Sequence, residues 1–264
     1  MTSTINMPSR LKGAKLLAPA IATACAFAIL LGLGTWQWNR KAWKEELVAT
    51  IAARSAAPPI DAAAFAKLRC ETVEKVGLAQ SCDYISVQLS GTFDLANERY
   101  VYTSIERPRA GRAGGQGFWI LTPFRIAGSG QTIVVNRGFV PETRKDPASR
   151  TEGQPAGEIS FTGLVRSAEQ RATFTGTNDA ARNIWFIRNP AELFPASAQP
   201  KIERPELYVE LLKPVPAGGL PQPTAGQINI PNRHLEYALT WWALAATLLA
   251  VFWAFAAGRL REPR

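Results

Sequence analysis

Residues 232–255 read NRHLEYALTWWALAATLLAVFWAF, and this stretch decides the fold. No residue from Tyr237 to Ala257 carries a charge. A helix of about 20 residues, rising 1.5 Å per residue, crosses the roughly 30 Å hydrocarbon core of a bilayer. The stretch therefore predicts a transmembrane helix over 235–257. Directly before this helix lies His234, the only histidine of the chain.

A second apolar run lies near the start of the chain, where residues 16–38 read LLAPAIATACAFAILLGLGTWQW. The run is too long for the apolar region of a cleaved signal peptide, so it predicts an uncleaved membrane helix over 16–37. Within it, Cys25 is expected to be a small buried side chain. No Arg- and Ser-rich amphipathic presequence precedes the run, which favours a bacterial inner membrane.

Basic residues predict the orientation of the two helices. They precede the first helix and follow the second, which places the tails 1–15 and 258–264 in the cytoplasm. Basic residues at 40, 41 and 44 oppose this orientation, but a long intervening domain is translocated largely regardless of its charge. The domain is then periplasmic, and His234 lies at the outer membrane boundary, near tryptophans typical of an interfacial belt.

Between the helices, residues 38–212 predict one β-rich domain. The fold class is an antiparallel sheet or barrel-like α+β domain, because many short strand-like segments are separated by Gly- and Pro-rich turns. Residues 213–234 form a Pro/Gly linker back to the membrane. The predicted strands are Tyr84–Phe93 with a break at Gly91, Arg99–Ile105, Phe118–Ile126, Thr132–Val140, Ile159–Arg166, Ile184–Arg188 and Leu207–Leu212.

Helical segments are predicted at three places in this domain. Residues 38–54 continue the first membrane helix, Asp61 caps a short helix that ends at Lys67, and Asn189 caps another over 190–194. The glycine-rich segment 110–117 is expected to be a flexible loop. Cys70 and Cys82 are either a disulfide or two unrelated thiols, and the sequence leaves both readings open.

Several function classes find no support in the sequence. A single histidine excludes a histidine cluster and a serine–histidine pair in the domain, and no GxSxG motif is present, so we expect no enzyme. The net charge of +9 is spread along the chain, which does not favour nucleic-acid binding. A two-span sensor is a weaker alternative, because both predicted tails are short for an output module.

Two readings of His234 remain from chemistry alone. It is either an amphipathic residue at the lipid headgroups or an axial ligand to a membrane-soluble metal porphyrin. Tyr237 and Trp241 follow at helical spacing and would offer an aromatic wall. Arg233, or Arg40 at the end of the first membrane helix, would pair with porphyrin propionates.

The sequence resembles the Surfeit locus protein 1 family of membrane assembly factors for cytochrome c oxidase. The resemblance covers nearly the whole chain, including the two-helix layout. One difference is Arg233, where the family often has asparagine. Four stretches carry the resemblance: LGTWQWNRKAWK (33–44), GFWILTPF (117–124), VNRGFVP (135–141) and PNRHLEYALTWWALA (231–245).

The resemblance implies a non-enzymatic role in delivering heme a to oxidase subunit I, with His234 as ligand of the heme iron. Its implied partners are subunit I, heme a synthase and membrane lipid, and the implied cofactor is heme a, held transiently. A heme-free chaperone or scaffold for oxidase subunits is the alternative. VNRGFVP suits a turn or bulge at a strand end, so we expect it to determine the fold rather than bind a partner.

Overall fold

The computed structural model describes residues 9–71, 73–106, 111–223 and 232–261. It divides into two compact units, Met1–Val48 with Asn229–Arg264, and Ala49–Ile228. The helices are α1 (Ser9–Ala56), α2 (Ala62–Lys67), α3 (Val73–Gln80), α4 (Pro190–Leu193) and α5 (His234–Arg261). The strands are β1 (Ser86–Phe93), β2 (Arg99–Ile105), β3 (Gly115–Ile126), β4 (Thr132–Pro141), β5 (Glu158–Ser167), β6 (Ile184–Trp185) and β7 (Leu207–Lys213).

The first unit is a helix pair formed by α1 and α5. Both helices are long and apolar enough to cross a membrane. With 48 residues, α1 is about 72 Å long, well beyond the thickness of a bilayer, so it continues past the apolar run as predicted. The predicted tail over 1–15 overlaps α1, which already begins at Ser9, and residues 1–8 lie outside the described part.

The second unit is a β-barrel with an extended edge. Strands β1, β5, β7, β4 and β3 are hydrogen-bonded in that order, and a further pairing between β1 and β3 closes the ring. From β3 the sheet continues outward to β2 and β6. The barrel-like prediction is confirmed, but the sheet is mixed because β4 with β7 and β2 with β6 pair in parallel.

The barrel is filled by apolar side chains from its five ring strands. They lie at alternate positions along each strand, as expected for residues that point inward. Phe65 of α2 is buried in the same cluster, and the disulfide between Cys70 and Cys82 joins the segment after α2 to this core. The ring strands contribute Val87, Leu89, Phe124, Ile126, Ile133, Val135, Phe161, Val165, Leu207, Val209 and Leu211.

The structure corrects several boundaries. Strand β1 does not break at Gly91 but runs to Phe93, because Gly91 has no Cβ to collide with the Arg125 carbonyl and so lets the strand pair with β3 while it still pairs with β5. Strand β6 ends at Trp185, since the Arg188 backbone N–H donates to the Glu169 carboxylate instead of a neighbouring strand. The predicted loop over 110–117 is part of β3 from Gly115 onward.

Other differences concern segments that lacked a clear pattern. The kinked helix α3 was not predicted, because Gly77, at φ 70°, interrupts its helical periodicity. Cys25 is exposed on α1 rather than buried. The predicted linker begins inside β7, and its Gln222 pairs with Phe139 of β4, while residues 224–231 lie outside the described part.

Candidate functional site

His234 is the first residue of α5 and is half-buried. Its Nδ1 lies 2.6 Å from Oε1 of Gln37 on α1, a residue 197 positions earlier in the chain. The only histidine of the sequence is therefore joined by a hydrogen bond to the other helix of the pair.

The two helices meet closely one turn from this hydrogen bond. Gly34 of α1 is buried against the indole of Trp242, and a Cβ at residue 34 would collide with that ring. The rings of Trp38 and Trp242 lie 6.0 Å apart. A glycine at such a point lets two membrane helices approach more closely than a larger residue would.

The helical spacing of α5 places His234 on this contact face. Buried Ala238 lies four residues after it, Trp242 eight and buried Ala245 eleven, which is one stripe of a helix. The histidine therefore belongs to the face that meets α1.

The contact with Gln37 is a hydrogen bond in one of the two neutral tautomers of His234. The side-chain carbonyl oxygen of Gln37 only accepts, so Nδ1 of His234 donates and carries the hydrogen. Neutral imidazole then has its lone pair on Nε2, the form that ligates metals. A metal-binding histidine commonly has its other nitrogen held in this way by an oxygen acceptor.

The other predicted site residues lie around His234 but have contacts of their own. Tyr237 is exposed one turn further along α5, and Trp241 is half-buried after a second turn. Arg233 pairs with Glu236 at 2.8 Å, and the guanidinium of Arg40 lies 4.0 Å above the ring of Trp43. Arg233 directly precedes α5, Arg40 lies within α1, and each is already engaged by a neighbour.

Sequence reasoning missed Gln37 as the partner of His234. The one available signal was an amide side chain between two tryptophans, Trp36 and Trp38, at the end of the apolar run. Polar side chains in membrane helices commonly bond across helices, but nothing in the sequence pairs this one with a residue on the other helix.

The VNRGFVP motif forms most of β4 and is buried inside the barrel domain. Glu98 accepts from Arg137 at 2.5 Å and from Arg150 at 2.7 Å, and all three side chains are almost completely buried. Arg137 also donates to the Gly153 carbonyl oxygen. Burial lowers the pKa of Arg137 to about 10, although the charge of Glu98 opposes this shift. These contacts support the expectation that the motif determines the fold.

The barrel domain also contains an apolar cavity of about 110 Å³ beside Arg137. It lies between strand residues such as Phe93 and Leu211 and prolines of the segment after β7. Sites for drug-sized ligands occupy roughly 300 Å³ or more, so this cavity is too small for a porphyrin. Within the described residues no three histidine, cysteine or acidic side chains are grouped as metal ligands. His234 is therefore the candidate ligand.

Comparison with known proteins gives consistent matches. The model of the SURF1 family matches residues 24–246. Surfeit locus protein 1 of Rattus norvegicus is 33% identical over 229 residues, which are 83% of this chain and 69% of that protein. The Homo sapiens protein of the same name is 34% identical, over 81% of this chain and 70% of its own. A SURF1-like protein of Monosiga brevicollis is 34% identical, over 86% of this chain and 83% of its own length.

Proposed function

Because the chain belongs to the SURF1 family, we propose that this protein is an assembly factor for cytochrome c oxidase that assists heme a delivery to subunit I. One observation carries the proposal at the level of residues. The single histidine lies at the entry of an apolar helix, with Nδ1 held by Gln37 and the lone pair on Nε2.

The residues of the helix pair fit heme a as a cargo. Nε2 of His234, with Nδ1 carrying the proton, would supply the lone pair that holds the heme iron. Exposed Tyr237 and half-buried Trp241 would contact the macrocycle, and apolar helix surfaces leave the farnesyl tail in lipid. Arg233 and Arg40 would exchange their present partners for the heme propionates.

The proposal includes a location for the protein. We place it in a bacterial inner membrane, with both termini cytoplasmic and the barrel domain periplasmic. Arg259 and Arg261 in the last turn of α5 support this orientation through the positive-inside rule. His234 then lies at the outer boundary, where heme a synthase and subunit I would exchange heme with it from within the lipid.

The test is the heme content of the purified full-length protein. It is co-expressed with the enzymes of heme a synthesis, and visible spectra are recorded after detergent extraction. We expect a heme a spectrum in the wild type, and loss of most of it in His234→Ala. Leu239→Ala, at an exposed position of the same helix, serves as control and should retain the wild-type heme content.

Two results would contradict the proposed ligand. If His234→Ala copurifies with as much heme a as the wild type, the histidine is not the ligand. A wild type that has no Soret band and still restores oxidase assembly in a deletion strain would favour the heme-free chaperone.

A further inference from the structure

We propose that Gln37 is a positioning residue for His234, holding the imidazole as the Nδ1–H tautomer so that Nε2 is the ligating nitrogen. This inference rests on the proposed function, because it concerns the same histidine and the same cargo. It adds a residue on the other helix. It also gives a reason why α1 and α5 must lie side by side where Gln37 meets His234.

The hydrogen bond itself is the first argument. A separation of 2.6 Å is short for a nitrogen–oxygen pair, and both side chains are partly buried. Hydrogen bonds are stronger where water is excluded and the local dielectric is low. Without a partner, neutral His234 would distribute its proton between two nitrogens, and only one of those tautomers leaves Nε2 available.

The packing around the bond is the second argument. Gly34 lies three residues before Gln37 on α1, so both are on one face of that helix. Because Gly34 has no side chain, the indole of Trp242 fits against α1, and α5 is held within reach of the Gln37 amide. The distance between Nδ1 and Oε1 is therefore set by the helix contact.

The chemistry of the acceptor leads to a specific expectation. An oxygen that accepts a hydrogen bond from Nδ1–H makes Nε2 a stronger electron-pair donor to a metal. A carboxylate has a larger effect of this kind than an amide. A more strongly donating ligand stabilises ferric over ferrous iron. Replacement of Gln37 by an acidic residue should therefore lower the midpoint potential of the heme. Replacement by an apolar residue of similar size should raise it.

The experiment compares Gln37→Glu, Gln37→Leu and wild type in the full-length protein in detergent at pH 8, with added hemin as the probe. We expect a lower midpoint potential in Gln37→Glu and a higher one in Gln37→Leu. The iron–histidine stretching frequency should rise in Gln37→Glu and fall in Gln37→Leu. Hemin affinity should fall about tenfold in Gln37→Leu.

Thr35→Val is the matched control on the same turn of α1. The Thr35 hydroxyl donates to the Leu31 carbonyl oxygen within the helix, so this variant removes a polar group without touching His234. It should leave the potential, the stretching frequency and the affinity unchanged. Gln37→Glu preserves the shape of the side chain, so its spectra test the proposal even if Gln37→Leu folds poorly.

The outcomes separate this inference from the proposed function. If His234→Ala loses hemin but the potential and stretching frequency are equal in all three residue-37 proteins, the inference about Gln37 is overturned and the proposed function remains. If His234→Ala binds hemin as well as the wild type, the proposed ligand is overturned. A wild type that takes up no hemin overturns both.

Discussion

The barrel domain and the helix pair use polar residues in opposite ways. In the barrel, Glu98 is buried between Arg137 and Arg150, and both of its carboxylate oxygens accept from a guanidinium. At the helix pair, His234 is half-buried, and its Nδ1 is hydrogen-bonded to the uncharged amide of Gln37. Arg137 and His234 each belong to a stretch that carries the family resemblance, so a shared motif does not by itself distinguish architecture from function.

The two groups differ in how deeply they are buried and in how many hydrogen-bond partners they have. A buried charge is tolerated only where partners replace water, and removing one partner leaves buried acceptors without a donor that water could replace. A half-buried imidazole can be removed at less cost to folding, because its hydrogen bond is to an uncharged amide and no buried ion is left behind. Substitutions in the barrel motif should therefore change stability, and substitutions at the helix pair should change heme binding.

Arg137→Met should give the largest effect, about 3–5 kcal/mol of lost unfolding free energy. The variant leaves Glu98 buried with one partner fewer and removes the donor to the Gly153 carbonyl. For a protein of this size the loss lowers the midpoint of thermal unfolding by about 10 °C. Circular dichroism of the detergent-solubilised full-length protein measures that midpoint.

Arg182→Met is the matched control for this variant. The Arg182 side chain is 79% exposed and pairs with Asp179 three residues away, so its loss should shift the midpoint little. A normal midpoint in Arg137→Met, combined with loss of oxidase assembly, would instead assign the motif to partner binding.

Gly138→Ala should follow, with a loss of about 2–3 kcal/mol. Gly138 has φ 129°, and a Cβ there would collide with the backbone of Gln222, which pairs with Phe139. Gly128→Ala is the control, because Gly128 also has positive φ, at 79°, but a Cβ there meets nothing among the described residues. It should lose only about 1 kcal/mol, from backbone strain alone. Equal shifts in the thermal midpoints of the two variants would refute the role of the Gln222 contact.

Local patterns predicted much of this fold. Strands β2, β4, β5 and β7 lie within one residue of the predicted bounds at each end, because alternation and flanking turn residues are properties of short segments. Asp61 and Asn189 cap their helices as expected, with side chains that accept from Ala64 and Ala191. At these positions the neighbouring residues in the sequence were sufficient to predict the local structure.

Contacts between distant segments were not predictable in this way. The pairing of β1 with β3 closes the barrel, but a strand pattern does not specify its neighbours. For the same reason the ion cluster could not be predicted, since Glu98, Arg137 and Arg150 come from three separate segments. The contact of Gln37 with His234 could not be predicted either. The sequence identified His234 by its uniqueness, and the structure supplied its partner.

Gly34→Leu should give the smallest change in stability but a clear one in heme binding. Leucine at residue 34 displaces the Trp242 indole and moves α5 away from α1, which lengthens the bond between Gln37 and His234 without altering either residue. Hemin affinity should fall about tenfold, the lower end of the effect of losing a residue that orients a ligand. Gly32→Leu, whose added side chain meets nothing within the described residues at the Cβ position, should bind hemin as the wild type does. Equal affinities in the two leucine variants would mean that helix spacing does not orient the histidine. A loss confined to Gly34→Leu, with an unchanged thermal midpoint, would make the helix contact a functional feature.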